Sequence, residues 1–596
     1  MRLALALIST ALLAPLAGFA QDAADTVAPE AVTAAGMMAL TPAAMAAQAA
    51  RDAGVPVEAN TWMVAAANPL AVEAGAAVLA DGGTAADAMV AVQAVLGLVE
   101  PQSSGLGGGA FLVWYDAETK ILTTLDGRET APLEATPRLF QTPDGEPLRF
   151  FDAVVGGLSV GTPGTPALME EAHRRWGRAN WGGLFTAAID HAEGGFVVSP
   201  RLAQLVASDA ERLGRFPATA AYFLPNSTPI AEGDTLLNPA YGATLRAMAA
   251  QGADAIYSGP IAEGIIDTVR NAPGNPGLLS LRDLAGYQII ERAPVCVTYS
   301  AHEVCGMGPP SSGAMTVGQI LGLVSGYDLA GLGPDSVEAW RIIGDASRLA
   351  FADRGRYIAD SDYVPVPVSG LMDPSYLADR AALLASDDAL PEVAPGEPVW
   401  EHAALQADDM AIELPSTSHI SIVDAYGNAL SMTTTIENGF GSRLMAPGGF
   451  LLNNEMTDFS FRTHSGGYPI ANRVEPGKRP RSSMAPTIVL RDGDPVLVIG
   501  SPGGSRIIGY VAQAIIAHVT WGMDVQQAVA MPHLVNRFGT YDVEEGTSAE
   551  GLAEGLVALG YEVSARGLNS GLHAIAIGET LTGGADPRRE GIALGD

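Results

Sequence analysis

The sequence predicts an α+β fold, on three observations about where its periodic segments fall. From about residue 156 to residue 390, apolar residues mostly recur with helical spacing. From residue 417 onward, short alternating runs typical of strands dominate. Strands and helices do not alternate in regular βαβ units, and no segment repeats. These features favour an α+β fold over a doubly wound parallel sheet.

In chain order, periodicity places most elements directly. Helical spacing predicts helices over 69–80, 84–98, 166–176, 181–193, 259–271, 336–356, 509–519 and 525–530. Alternating runs predict strands over 110–115, 419–424 and 429–436. Residues 388–414 are acidic, contain Pro and lack periodicity, which predicts an exposed loop.

Length and charge limit the classes of function. A chain of 596 residues with 48% hydrophobic and 17% charged residues can bury a large globular core. The net charge of −33 argues against a nucleic-acid-binding protein, because such proteins present a basic surface. No His, Cys and carboxylate cluster has the spacing of metal ligands, so neither a metal nor a cofactor is expected.

Residues 1–20 predict a secretory signal peptide. A basic start at Arg2 is followed by an apolar run over 3–16 and by a small-x-small cleavage site over 17–20. An uncleaved anchor or a buried apolar helix are the alternatives, but the run is short for a membrane span. We expect a periplasmic or secreted protein without a membrane anchor. The Ala-rich residues 21–60 are expected to form a mobile lead-in.

The two cysteines lie on a predicted hairpin. A two-residue turn after Tyr299 pairs that residue with His302 and, counting outward, pairs Cys296 with Cys305. The cysteines then fall at a non-hydrogen-bonded position, whose short Cα separation suits a disulfide. We predict this disulfide in an oxidising compartment, against the alternative of two free buried thiols.

A second hairpin brings two threonines together. Gly427 occupies the third position of a predicted three-residue loop that closes with Asp424 opposite Asn428. Continuing the register places Thr417 opposite Thr435. A cross-strand Thr pair is also a common structural pair, so the pairing alone does not identify a site.

A Gly-rich turn follows the buried-looking strand at 496–500. Gly503 and Gly504 come just before a predicted helix, so their N–H groups would lie beside the positive end of its dipole. That arrangement suits a phosphate or an oxyanion, and a plain tight turn remains the alternative. The chain has neither a P-loop nor a G-x-S-x-G nucleophile elbow.

Two polar segments complete the candidate residues. The carboxylates of Glu455 and Asp458, three residues apart, suit an ammonium group. The hydroxyls of Ser482 and Ser483, next to Arg481, suit a carboxylate. Taken singly, each set is equally typical of a solvated face or a helix cap.

Ten segments, in this order, carry a resemblance to a known family: AAANPLAVEAG (65–75), EPQSSGLGGGAF (100–111), LDGRETAP (125–132), GTPGTPALMEEAHRRWG (161–177), GPPSSGAMTVGQIL (308–321), LAFADRGRY (349–357), TSHISIVDAYGNA (417–429), GFLLNNEMTDFS (449–460), GKRPRSSMAPT (477–487) and GSPGGSRI (500–507). They resemble the γ-glutamyltranspeptidase (glutathione hydrolase) family of N-terminal-nucleophile hydrolases. The resemblance spans nearly the whole chain from about residue 62.

The resemblance implies a four-layer αββα sandwich, made as one precursor that cuts itself between Ser416 and Thr417. The products would be a large subunit, 61–416, and a small catalytic subunit, 417–596, held together as a heterodimer. Thr417 would be the nucleophile and Thr435 would support its hydroxyl, while the oxyanion-hole N–H groups would come from Gly503 and Gly504.

The same resemblance assigns the substrate's zwitterionic end. Its α-carboxylate would be held by Arg128, Ser482 and Ser483, and its α-ammonium by Glu455 and Asp458. At Glu437 this chain departs from well-known members, which carry Asn there to help bind the ammonium. A third carboxylate could strengthen that binding, repel its neighbours, hold a proton or mark a different acyl preference.

The chemistry agrees with these roles. A Thr hydroxyl is a poor nucleophile without a base. An α-amine has an ordinary pKa of about 7.7–8.0, so a cut before Thr417 creates the base as it exposes the nucleophile. The expected substrate is the γ-glutamyl amide of glutathione and related compounds, with water or an amine as acceptor. The alternatives are a glutaryl-type amidase, which Glu437 and a short lid region over 461–476 leave open, and a non-catalytic binding protein.

Overall fold

The computed structural model describes residues 40–402, 405–409, 411, 413, 414 and 416–596. The predicted signal peptide and residues 21–39 of the lead-in lie outside the described residues. The strands are β1 Val57–Ala59, β2 Met63–Ala66, β3 Gly109–Asp116, β4 Ile121–Gly127, β5 Phe196–Val197, β6 Thr235–Leu236, β7 Ile290–Arg292, β8 Val295–Tyr299, β9 His302–Gly306, β10 Ser418–Val423, β11 Ala429–Thr435, β12 His464–Ser465, β13 Tyr468–Pro469, β14 Thr487–Arg491, β15 Asp494–Gly500, β16 Leu534–Asn536, β17 Thr540–Glu544, β18 Glu562–Arg566, β19 His573–Ile577, β20 Leu581–Ala585 and β21 Ile592–Gly595.

The helices in the described residues are α1 Pro42–Asp52, α2 Pro69–Ala80, α3 Ala85–Val99, α4 Phe150–Val154, α5 Thr165–Trp176, α6 Thr186–Gly194, α7 Pro200–Leu213, α8 Pro217–Phe223, α9 Pro239–Gln251, α10 Asp254–Tyr257, α11 Gly259–Arg270, α12 Leu281–Ala285, α13 Gly313–Val324, α14 Leu329–Leu332, α15 Val337–Tyr357, α16 Val368–Leu371, α17 Pro374–Ala381, α18 Ile507–Val519, α19 Val525–Ala530 and α20 Ala553–Ala558. The predicted helices are confirmed to within a few residues, except that the one predicted over 181–193 begins with a 3₁₀ turn over Trp181–Phe185 before α6.

Two seven-stranded sheets lie face to face at the centre. Sheet 1 runs β1-β20-β19-β15-β14-β9-β8, and sheet 2 runs β21-β2-β10-β11-β3-β4-β7. Apolar side chains from both sheets, including Met63 and Val113 of sheet 2 and Val498 and Ile575 of sheet 1, form the core between them. The outer face of sheet 2 packs against α2 and α3, and that of sheet 1 against α13, α15 and α18. The fold is therefore the predicted αββα sandwich.

Part of the predicted mobile lead-in is ordered, so that prediction was wrong from residue 42. Thr41 caps α1, whose Ala44 and Ala47 are buried in the core. The Arg51 guanidinium donates to the carbonyl oxygens of Arg589, at 2.9 Å, and Gly591, at 2.8 Å. These distant contacts hold a helix that its weakly patterned sequence does not announce.

The cysteine hairpin has the predicted register. Strands β8 and β9 pair Tyr299 with His302 and Cys296 with Cys305. The two cysteines have Cα atoms 4.1 Å apart, and their sulfur atoms are bonded. Among the described residues, no helix combines the length and apolar character needed to cross a membrane.

The segment before the predicted cut is not an exposed loop at its end. Residues 388–402 contain no helix or strand, as expected. Asp409, Glu413 and Leu414 are nevertheless buried. The acidic composition suggested exposure, but buried arginines hold two of these carboxylates: Arg481 pairs with Asp409, and Arg354 pairs with Glu413.

Candidate active site

The threonine hairpin brings Thr417 and Thr435 together as the register predicts. Strands β10 and β11 pair Ser418 with Thr434, and the loop closes with the Asp424 amide donating to the Asn428 carbonyl at 3.0 Å. One residue beyond the paired strands, the Thr417 and Thr435 hydroxyl oxygens lie 3.0 Å apart. Both residues are buried, so the contact is shielded from solvent.

The peptide bond before Thr417 is held at both ends. The Gly503 amide donates to the Ser416 carbonyl oxygen at 3.2 Å, and Arg589 Nη1 donates to the Thr417 carbonyl oxygen at 2.9 Å. Thr417 has a φ of +90°, which is unfavourable for a β-branched residue. A strained residue therefore follows a carbonyl that already accepts a hydrogen bond, which favours attack on that carbonyl.

The Gly-rich turn joins sheet 1 to α18. Strand β15 ends at Gly500, and a 3₁₀ turn over Gly504–Arg506 leads into the helix. Gly503 has φ +135° and Gly504 has φ +58°. Any side chain on Gly503 would also meet the ring of Tyr510, since a Cβ there would lie 2.7 Å from it. Glycine is therefore required where the backbone turns its N–H group toward Ser416.

Arg128 is enclosed by acceptors in this uncut chain. Its guanidinium pairs with the carboxylates of Glu455 and Asp458 and donates to the carbonyl oxygens of Pro480, at 3.2 Å, and Arg481, at 3.0 Å. The residue is buried. Arg128 thus lies beside the predicted α-carboxylate site, but it already compensates two buried carboxylates.

The carboxylate cluster has more negative than positive charge. Burial raises the pKa of Glu437 well above its usual value, and the charge of Asp458 raises it further. Burial likewise raises the pKa of Glu455 and of Asp458, although Arg128 opposes the shift. Burial also raises the pKa of Glu129, again against Arg128, to about 8. A cluster that retains protons in this way gains from a cation, so an entering ammonium group would be stabilised here.

Glu437 is held in a strained conformation at the edge of this cluster. Its φ is +74°, and its amide donates to the Thr435 hydroxyl at 2.8 Å. Its carboxylate accepts from the Leu414 amide at 3.2 Å and from the side-chain amide of Asn454. Glu437 therefore contacts both the nucleophile's partner and the segment before the cut.

A model of the gamma-glutamyltranspeptidase family matches residues 71–596. The chain belongs to the gamma-glutamyltranspeptidase family. A glutathione hydrolase proenzyme of Bacillus subtilis (strain 168) is 38% identical over 545 residues, covering 89% of this chain and 91% of the relative. An acylase ACY 1 proenzyme of Pseudomonas sp. (strain SE83) is 35% identical over 546 residues, covering 90% of this chain and 94% of the relative.

A solved structure of a cephalosporin acylase from Bacillus halodurans has the same fold as this gamma-glutamyltranspeptidase-family chain. The TM-score is 0.78 at 23% identity, and the match covers 91% of this chain and 97% of the acylase. The likeness establishes the shared architecture of the family and its acylase relatives.

Two residues of this transpeptidase-family site received no role from the sequence. Arg354, on α15, donates through Nη2 to the Ser483 hydroxyl at 2.8 Å and pairs with the Glu413 carboxylate. Arg354 lies inside a recognised family segment, 349–357, which was a signal without a role attached. Glu413 lies in an acidic stretch whose composition suggested solvent exposure.

The predicted residues surround one small cavity. All of the predicted catalytic and binding residues except Gly503 line it, and its volume is about 20 Å³. That volume accommodates about one water molecule. Glu413 and Leu414 also line the cavity, so the chain's own segment occupies the space beside Thr417. The structure is that of the family's uncut state.

Proposed function

We propose that the chain cuts itself between Ser416 and Thr417, and that Thr417 then transfers γ-glutamyl groups from glutathione and related amides to water or an amine. The observation that carries the proposal is the shared geometry of Ser416, Thr417 and Gly503. The nucleophilic hydroxyl, the carbonyl and an oxyanion donor meet at one peptide bond. The relationship to glutathione hydrolase proenzymes supports this reading.

Self-cleavage would proceed through an ester. The Thr417 hydroxyl attacks the Ser416 carbonyl carbon, and the Gly503 amide stabilises the developing oxyanion. The bond to the Thr417 nitrogen breaks, and that nitrogen takes the hydroxyl proton. Water then hydrolyses the ester between Ser416 and Thr417. The products are a Ser416 carboxylate and a free Thr417 amine.

In turnover the free amine would serve as base. It takes the proton of the Thr417 hydroxyl as the oxygen attacks the γ-carbonyl of the substrate, and it returns the proton to the leaving amine. A γ-glutamyl ester on Thr417 results, and water or an amine acceptor releases the acyl group. Thr435 orients the hydroxyl, and the carboxylate cluster with Glu437 receives the α-ammonium.

The two pieces would remain together after the cut. In sheet 2, strands β10 and β11 from the small piece lie between β2 and β3 from the large piece. In sheet 1, β14 of the small piece pairs with β9 of the large piece. Separating the pieces would therefore break both sheets, which supports a stable heterodimer of residues 61–416 and 417–596.

The predicted signal peptide supports export as a periplasmic or secreted protein. N-terminal sequencing of the protein recovered outside the cytoplasm should begin near Gln21. An N-terminus at Met1 in a cytoplasmic fraction would contradict export without affecting the cleavage proposal.

Intact mass spectrometry tests the central step. Wild-type protein should resolve into two chains that meet between Ser416 and Thr417, while Thr417→Ala should remain one chain. A wild-type chain that stays uncut after purification and incubation would remove the mechanism.

The second candidate is an amidase of different acyl specificity, such as a glutaryl-type acylase. The acylase relative at 35% identity favours keeping it. Hydrolysis of γ-glutamyl and glutaryl anilides by the cut enzyme separates the two, because the glutaryl group lacks the ammonium that the carboxylate cluster would bind. A preference for the glutaryl anilide would replace the proposed substrate and leave the Thr417 chemistry intact.

A further inference from the structure

The Glu413 carboxylate lies between two buried guanidinium groups, in the cavity that also contains Thr417. It pairs with Nη2 of Arg354 and lies 3.8 Å from Nε of Arg481. All three side chains are almost fully buried. The carboxylate therefore occupies an anion site that shares a cavity with the nucleophile.

The surroundings of this carboxylate form a built site. Arg354 is fixed by donating through Nε to the Ser312 hydroxyl and through Nη2 to the Ser483 hydroxyl, both at 2.8 Å. Nη2 of Arg481 donates to Asp409 at 2.9 Å. Its Nε is buried and has no hydrogen-bond partner within the described part of the chain. Two fixed guanidinium groups and a hydroxyl thus surround one carboxylate.

The charge balance makes an anion necessary at this point. Burial lowers the pKa of Arg354 and the neighbouring charge of Arg481 lowers it further, to about 10, while Glu413 opposes the shift. Within the described residues, Glu413 is the only carboxylate paired with Arg354. Removing it would leave a buried guanidinium beside a like charge, which is strongly unfavourable.

We propose that Arg354, Ser483 and Nε of Arg481 form a carboxylate-binding subsite, which Glu413 fills before self-cleavage and the substrate's free carboxylate fills afterwards. The inference rests on the proposed function, since the cut at Ser416 is what would release the Glu413 segment. It assigns the substrate carboxylate chiefly to Arg354 rather than to Arg128, whose guanidinium already pairs with two carboxylates.

The ligand class follows from this arrangement. A substrate must present a carboxylate some distance from the carbonyl that Thr417 attacks, as both a γ-glutamyl and a glutaryl group do. A 4-aminobutanoyl group presents the ammonium without the carboxylate. Comparison of these three acyl groups therefore isolates the carboxylate subsite from the ammonium pocket.

The test is the KM of the cut enzyme for γ-glutamyl, glutaryl and 4-aminobutanoyl anilides, in wild type and in Arg354→Gln. Loss of a charge-assisted hydrogen bond should raise the KM for the first two roughly 10- to 100-fold. The KM for the 4-aminobutanoyl anilide should change less than about twofold, and Arg354→Lys should restore part of the loss. Arg356→Gln is the matched control, because it removes the same charge from the same helix at a partly exposed ion pair with Asp408.

Uniform KM values across the three anilides in a cut Arg354→Gln enzyme would overturn the subsite and leave the proposed function standing. An uncut wild-type chain would overturn both. Should Arg354→Gln fail to cut, Ser483→Ala provides the same test, because it keeps the ion pair with Glu413 and removes one hydroxyl of the subsite. Its KM should rise for the carboxylate-bearing anilides only, and an equal rise for all three would overturn the proposal.

Discussion

The Gly503 amide donates to the Ser416 carbonyl oxygen at 3.2 Å, so the turn that would stabilise an oxyanion during turnover already contacts the bond that would be cut first. One donor would therefore serve two reactions at the same Thr417 hydroxyl. Because the segment before the cut fills the cavity, the site would become available to a substrate only after the first reaction releases that segment. Self-cleavage and turnover are thus coupled through shared groups and shared space.

Gly504→Ala should slow self-cleavage. A Cβ at this position would lie 2.6 Å from the Leu414 carbonyl carbon, and φ is +58°. The left-handed backbone costs an L-residue about 1–2 kcal/mol before the clash is counted, so we expect cutting to be at least about tenfold slower. The time course of the two products by mass spectrometry measures this rate.

Gly493→Ala is the control for that variant. Gly493 also has positive φ, at +85°, but a Cβ there would meet nothing within 4 Å. It should lose stability to a similar extent and cut at the wild-type rate. Equal cutting rates for Gly504→Ala and wild type would show that the seating of Leu414 does not limit the reaction.

Thr435→Val should lower the rates of both self-cleavage and turnover by roughly tenfold. Its hydroxyl contacts the Thr417 hydroxyl at 3.0 Å and accepts from the Glu437 amide at 2.8 Å. Valine keeps the shape and removes both interactions, each worth about 0.5–1.5 kcal/mol. Single-turnover cutting rates and kcat on a γ-glutamyl anilide report the two effects.

The neighbouring residue provides the matched control. The Thr434 hydroxyl is buried and has no hydrogen-bond partner in the part of the chain that the structure describes. Thr434→Val should leave both rates unchanged and leave stability equal or slightly higher. If Thr434→Val lowers the rates as much as Thr435→Val, the effect comes from packing rather than from the hydroxyl contact.

The parts of the site that the sequence predicts are those fixed by local geometry. Strand pairing has a period of two, so Gly427 in the loop was enough to place Thr417 opposite Thr435. The ion pair between Arg354 and Glu413 joins residues 59 positions apart. Periodicity places Arg354 on a helix but does not give the direction in which that helix faces the loop. The same limit explains α1, which depends on contacts between Arg51 and the far end of the chain.

Asp87→Asn should destabilise the protein by about 2 kcal/mol at pH 7. Burial would raise the pKa of Asp87, but hydrogen bonds from His173 and from the amides of Arg178, Thr84 and Ala179 together lower it to about 2. Because the folded pKa lies below the unfolded value, the stabilisation is present above about pH 4 and is lost as the pH falls toward 2. Urea unfolding at pH 7 and at pH 3 should therefore show a smaller gap between variant and wild type at pH 3. Asp190→Asn, at an exposed position on α6, should show no such gap, and a gap for Asp87→Asn that stays constant with pH would contradict this assignment.

Glu437→Gln should become more stable relative to its parent as the pH rises from 5 to 8. Burial, followed by the charge of Asp458, raises the pKa of Glu437. An acid whose folded pKa is raised binds its proton more tightly in the folded state, so stability falls as the pH rises above the unfolded value of about 4.3 toward the folded pKa, by at most about 1.4 kcal/mol per pH unit. Glutamine does not titrate and therefore removes this loss.

The comparison is best made in a Thr417→Ala background, where one uncut species is present, by measuring the free energy of unfolding in urea at several pH values. Glu263→Gln, at an exposed position on α11, is the control for removing one charge from a strongly acidic protein and should change little with pH. A Glu437→Gln profile parallel to that of its parent would mean that Glu437 is ionised in the folded chain. The cluster would then hold a full third carboxylate charge before any substrate ammonium arrives, and its attraction for that ammonium would be correspondingly greater.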